Sequence, residues 1–201
     1  MCAGSEERDV LESVGHMYYM LTSLGGMRGE PAMLDYEPDI PWRIWTLGQR
    51  FRSPPREPIE ATIERGDEGV MLELWDEVVS VMSKRLADTL IAAGVSNIDF
   101  FSAQVREVKS NKVFEDYVAF NIVGTIAAAD LKQSDFSAPD GPMVSVDFDS
   151  LTIDESRTRG GLMFRLAESL NGIVVHESVK KAIEAAGIDT LTFLDPQEWA
   201  G

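Results

Sequence analysis

The chain has 201 residues, 44% of them hydrophobic, which suffices for one large domain or two small ones around a real core. It carries 18 Lys and Arg against 34 Asp and Glu, a formal net charge of −16 at pH 7. This charge argues against direct nucleic-acid binding and against docking on an anionic membrane, because both require a basic face. It permits a basic protein partner, whose association an acidic surface accelerates.

The single cysteine, Cys2, excludes an internal disulfide and favours a reducing compartment. No apolar run precedes it, so neither a secretory nor a lipoprotein signal is visible. The most apolar long run, residues 118–129, is interrupted by Asn121 and Gly124 and is too short to span a bilayer. We therefore expect a cytoplasmic protein.

The first part of the chain alternates short apolar runs with breaks. Residues 9–16 are compatible with a short helix, and residues 17–21 read as a first strand. Residues 30–41 combine acidic residues with prolines and are predicted to form a loop. Trp42 and Trp45 follow, and we expect them in the core rather than at an interface.

An acidic stretch comes next. Residues 53–58 contain three prolines and must form an irregular connector. Residues 59–64 alternate apolar and acidic side chains as a strand does, and residues 70–75 form another strand after a turn. Residues 57–77 are the densest acidic segment and the predicted partner face. With the acids of the preceding loop, the candidate binding residues are Asp35, Glu37, Asp39, Glu60, Glu64, Asp67, Glu68, Glu73, Asp76 and Glu77.

The second part is rich in strand patterns. Strands are predicted at residues 117–124 and 143–149, with turns at 109–112 and 158–161 and a loop at 134–142. Asn121 lies inside the most apolar of these strands and requires hydrogen-bond partners if it is buried.

One unit occurs twice. Residues 81–100 and 174–193 align without a gap, and each contains a helix that ends in Ala-Ala-Gly. Ser83 and His176 are placed to cap the helices, while Gly94 and Gly187 fall where a helix end needs a left-handed residue. The sequence thus predicts two strand–helix–strand units with helices near 83–93 and 176–186.

These patterns predict an α+β fold with mixed or antiparallel sheets, few helices and two pseudo-repeated units. We expect a single domain over residues 1–201. Its N-terminal half covers about 17–107 and its C-terminal half about 108–195, with one unit in each.

No catalytic or metal motif is complete. His176-Glu177 begins a zinc-protease helix, but Lys180 stands where the second histidine is required. Asp147 and Asp149 begin a calcium loop without its glycine. We predict no catalytic residues, no metal and no cofactor.

Four stretches together resemble a bacterial immunity-protein family, once a domain of unknown function and named for a myxobacterial immunity protein. They are residues 78–100, 117–136, 162–166 and 173–193, and they include Tyr117 to Asn121, Asp130 to Ser134 and Phe164-Arg165-Leu166. The resemblance covers most of residues 40–195, except the acidic, proline-rich insert before Leu72.

The resemblance implies a protein that binds and neutralises a cognate toxin delivered between competing cells. The toxin of the named member is similar to a secreted nuclease, so the implied partner is a basic nuclease domain. The acidic face would then occlude its substrate groove. A different class of function stays open: a small enzyme or ligand-binding protein with a pocket between the halves, lined by Asn121 and Arg165. An acidic structural adaptor without a toxin is a third.

Overall fold

The computed structural model describes residues 17–23, 32–35, 45–65, 69–76, 79–137 and 146–201, and within these ranges the chain forms two α-helices and fourteen strands. Up to the first helix the elements are β1 (Tyr18–Thr22), β2 (Met33–Asp35), β3 (Ile59–Glu64), β4 (Leu74–Asp76), β5 (Ser80–Ser83) and α1 (Lys84–Ala92). The next six strands are β6 (Ile98–Glu107), β7 (Val113–Phe114), β8 (Tyr117–Ile122), β9 (Thr125–Ile126), β10 (Asp135–Ser137) and β11 (Asp147–Ser150). The last elements are β12 (Met163–Leu166), β13 (Ile173–His176), α2 (Glu177–Ala185) and β14 (Thr192–Leu194).

The predicted α+β fold with mixed sheets and few helices is confirmed. One sheet has the strand order β2-β3-β6-β8-β5-β4, with β7 paired to β6. A second sheet has the order β14-β1-β13-β12-β9, and β10 and β11 form a separate hairpin. Most pairs are antiparallel, whereas β3 with β6 and β9 with β12 are parallel.

The larger sheet curls into a nearly closed barrel. Trp75 on the edge strand β4 donates its indole N–H to the carbonyl of Ala32, which directly precedes the opposite edge strand β2 (2.8 Å). The amide of Ala32 in turn donates to the carbonyl of Val70 (3.0 Å). The fully buried Trp45 lies in the core that this curl encloses, as predicted, together with Ile59, Ile63, Val81, Val105, Tyr117 and Ala119. Trp42 and the predicted helix at 9–16 lie outside the described residues.

Both helix caps form as the sequence predicts. The Ser83 hydroxyl accepts a hydrogen bond from the Leu86 amide (3.0 Å), and His176 Nδ1 accepts one from the Ser178 amide (3.1 Å). Gly94 and Gly187 take left-handed φ values of 92° and 69° after the helix ends. The predicted strand–helix–strand pattern is present in both units.

The two units share one topology. In the first, β5 and β6 flank the antiparallel β8, and β4 lies beside β5. In the second, β13 and β14 flank the antiparallel β1, and β12 lies beside β13. The order β4-β5-β8-β6 therefore repeats as β12-β13-β1-β14. The second unit is a circularly permuted copy, because β8 follows its unit in the chain whereas β1 precedes its own.

The register repeats as well. The cap residue Ser83 pairs with Tyr117, and the cap residue His176 pairs with Tyr18. The same alignment makes Leu21 the counterpart of Phe120. Side chains of both units meet in one shared core, which includes Leu86, Leu90, Phe120 and Val175 and their counterparts Val179, Ile183, Leu21 and Met82.

The predicted strands at 17–21, 59–64 and 117–124 appear within a residue or two of their expected bounds. In the segment 70–75, regular strand begins only at Leu74, and Val70 instead accepts the Ala32 amide. The predicted boundary near residues 107 and 108 does not separate the sheets. β1 joins the sheet of the C-terminal segment, and β8 joins that of the N-terminal segment.

Candidate acidic binding surface

The structure divides the ten predicted binding residues into three groups. Glu37, Asp39, Asp67, Glu68 and Glu77 lie outside the described residues. Asp35, Glu60 and Glu64 are exposed on β2 and β3. Glu73 and Asp76 are partly buried and hold contacts within the protein.

The exposed group shares one side of the sheet. Along β3, Ile59, Ala61 and Ile63 enter the barrel core, so Glu60 and Glu64 point outward. Asp35 pairs with Thr62, which lies between them on the same side. We call the outward side of β2, β3 and the C-terminal part of β6 the outer barrel face. It consists of Met33, Asp35, Glu60, Thr62, Glu64, Gln104, Arg106 and Val108.

Glu73 contacts residues that connect the two helices. Its carboxylate accepts a hydrogen bond from the Ser83 hydroxyl and pairs with Arg85 (3.3 Å). The same arginine donates to the carbonyl of Ala186 at the end of α2. Glu73 thus links the start of α1 to the end of α2, and its carboxylate is engaged inside the protein.

Asp76 is half of a buried ion pair. Its two carboxylate oxygens accept from both terminal nitrogens of Arg165 (2.6 and 2.9 Å), and one also accepts from Ser80 (2.5 Å). The Arg165 side chain is completely buried, and the Asp76 side chain is 12% exposed. In the repeat, β4 corresponds to β12. Asp76 pairs with Ser80, and Arg165 pairs with Ile173. Because Ser80 and Ile173 occupy matching positions of the two units, Asp76 is the counterpart of Arg165. The ion pair therefore joins equivalent positions of the two units.

Within the described ranges, Asn121 and Arg165 do not line the open pocket that the other class of function requires. Both are fully buried. The Asn121 amide nitrogen donates to the carbonyl of Gln49 (2.8 Å), and Arg165 is held by Asp76 and the carbonyl of Leu170. In the described part of the chain, a groove of about 350 Å³ is lined by residues 94–97, 123, 124, 126 and 160–164, which include neither residue.

The described ranges show no metal centre, since no three His, Cys, Asp or Glu side chains in them converge on one point. In the same ranges, neither helix has the length and apolar character needed to cross a membrane.

Glu168 has a shifted pKa and lies outside the outer barrel face, shortly after β12. Burial raises the pKa of its half-buried carboxyl above 4.5, against backbone N–H groups of Glu168 and Ala129 that lower it. The folded state therefore holds this proton more tightly than the unfolded chain does. The stability that the protonated Glu168 carboxyl contributes is lost as the pH rises from about 4.5 through its folded-state pKa.

We expect Glu168→Gln to raise the melting temperature more at pH 7 than at pH 4, because the amide carries no charge to bury. Thermal unfolding across this range tests the expectation, with the exposed Glu64→Gln as control. Parallel wild-type and Glu168→Gln curves would contradict it.

Sequence reasoning missed two exposed apolar residues on the outer barrel face, Met33 and Val108, which are 60% and 53% exposed. The sequence predicts a loop over residues 30–41, which is wrong for Met33–Asp35, because Met33 and Asp35 alternate around Leu34 as strand residues do. That alternation was the available signal for β2.

Comparison with known proteins places these features in a family. The model of the immunity protein family (Imm11) matches residues 18–198, which include both units, the ion pair and the outer barrel face. The chain belongs to this immunity protein family, as the resemblance of its motifs implied. Membership implies a cognate toxin as partner and an inhibitory rather than an enzymatic role. No curated protein matches the chain.

Proposed function

We propose that this immunity protein neutralises a nuclease toxin by placing its outer barrel face over the toxin's basic substrate groove. The observation that carries the proposal is the common orientation of Asp35, Glu60 and Glu64 on one exposed sheet face. The net charge of −16 supports it.

The physical basis is competition for a positive groove. A nuclease that grips phosphate presents Lys and Arg, and carboxylates on a rigid sheet offer those cations a matching negative surface. Long-range attraction accelerates the encounter, and added salt screens it over about 8–10 Å. Binding is then expected to be fast and to weaken as the salt concentration rises.

The proposal retains the predicted acids whose placement the structure does not describe. Glu37 and Asp39 follow β2 in the chain, Asp67 and Glu68 follow β3, and Glu77 follows β4. Glu73 and Asp76 contribute to the stability of the protein rather than to the contact, because their carboxylates are already engaged.

Neutralising the exposed group tests the proposal. We expect the triple variant Asp35→Asn, Glu60→Gln, Glu64→Gln to bind the toxic domain encoded beside this gene about 3- to 100-fold more weakly at low salt. This range follows from about 0.2–0.9 kcal/mol for each exposed charge pair, within the span measured for such pairs. Calorimetric titration at low and high salt gives both the affinity and its salt dependence.

A matched control removes the same charge elsewhere. Asp135, Asp147 and Asp149 are exposed on the β10–β11 hairpin, and their replacement by Asn also removes three negative charges. The control should keep nearly wild-type affinity if the outer barrel face makes the contact. Equal losses of affinity in both variants would show that net charge alone causes the effect. The outer barrel face would then be eliminated as the specific site.

A further inference from the structure

The outer barrel face lies on the part of the fold that is not duplicated. In the described chain, β14 is an edge strand, whereas its counterpart β6 continues to Glu107 and pairs with β3, which pairs with β2. The repeated strands and helices build the common scaffold. The extension of β2, β3 and the end of β6 distinguishes the first unit, and a partner-specific surface is expected on such an addition.

Three side chains form a row across this extension. Met33 on β2 pairs directly with Glu64 on β3. On the other side, Ile63 pairs with Glu107, and the amide of Val108 donates to the carbonyl of Ile63 (3.0 Å). Val108 therefore continues the register beside Glu64, and the row reads Met33, Glu64, Val108.

The row places exposed apolar side chains on both sides of an exposed carboxylate. A single exposed apolar residue needs no explanation, but two that flank one position of a sheet form a small patch. Protein interfaces commonly place a few apolar anchor residues among polar contacts that keep water from them. Methionine adapts its shape to a partner surface more readily than other apolar residues do.

We propose that Met33 and Val108 are the apolar anchors of the toxin complex on either side of Glu64, and that Asp35 and Glu60 add acidic contacts on the same face. The partner surface is then a basic protein groove with an apolar recess. Charge complementarity selects this occupant, because the three acids of the face outnumber its one base, Arg106, and so favour cations over phosphate. This inference rests on the proposed function and adds two apolar contacts to the charge contacts proposed there.

The double variant Met33→Ser, Val108→Ser tests the anchors. We expect its Kd for the toxic domain to rise about 10- to 100-fold, the range typical of truncated anchor residues. The loss should persist at high salt, since buried apolar area is not screened, whereas the effect of neutralising the acids should fade. The melting temperature should stay near that of the wild type, because both side chains are exposed.

The matched control is Leu47→Ser, Ile91→Ser, which removes two similarly exposed apolar side chains elsewhere (40% and 55%). Its affinity should equal that of the wild type. If the wild type binds tightly and the anchor variant binds equally well, the inference is wrong while the proposed function stands. If the wild type itself does not bind, the proposed function fails. A wild-type dimer that the anchor variant abolishes without loss of toxin affinity would assign the row to self-association and also overturn the inference.

Discussion

Asp76→Asn is expected to lower the free energy of unfolding by about 3–5 kcal/mol, the cost of leaving one member of a buried ion pair without its partner. The substitution keeps the shape of the side chain but removes the charge that faces the completely buried guanidinium of Arg165. Urea denaturation measures the change. Asp99→Asn, which breaks the more exposed pair with Arg50 (3.4 Å), should cost less than about 1 kcal/mol.

Removal of both charges separates charge burial from packing. The double variant Asp76→Leu, Arg165→Met should recover most of the stability that Asp76→Asn loses, because neither side chain then buries an unpaired charge. With Asp76→Leu and Arg165→Met measured singly, losses that simply add in the double variant would show that the two side chains are not energetically coupled. Because Asp76 and Arg165 occupy equivalent positions of the two units, recovery would show that this contact between the units requires matched side chains, either both charged or both apolar, and that an unpaired charge is what destabilises it.

Phe120→Ala is expected to cost about 3–5 kcal/mol, since it opens a cavity in the core that both units share. Phe120→Leu should cost much less, because its counterpart in the second unit is Leu21 and the surrounding side chains come from matching positions. Ile91→Ala, on the exposed side of α1, should change stability by less than about 0.5 kcal/mol. Chemical denaturation of the three variants gives the comparison, and equal losses for Phe120→Ala and Phe120→Leu would contradict it.

Local signals explain what the sequence predicts well. The capping residues Ser83 and His176 and the glycines Gly94 and Gly187 act within one helical turn, so the helix ends can be derived from short segments. The alternation in β3 likewise places Glu60 and Glu64 outward without knowledge of the rest of the fold.

Long-range pairing explains what the sequence does not predict. The strand pattern of residues 17–21 predicts β1 but not its partners, β13 and β14, which lie at the other end of the chain. The permuted order of the second unit was therefore not predicted. Asp76 and Glu73 also look like surface acids in sequence, and only their contacts with Arg165 and Arg85 reveal an internal role.

Hydroxyl-radical footprinting of the chain, alone and bound to the toxic domain, tests the central claim most directly. Met33 on the outer barrel face and Met17 beside β1 are both readily oxidised side chains, with exposed fractions of 60% and 46%. The account predicts that the toxic domain slows the oxidation of Met33 and leaves that of Met17 unchanged. Protection of Met17 with undiminished oxidation of Met33 would place the toxin elsewhere and contradict the account.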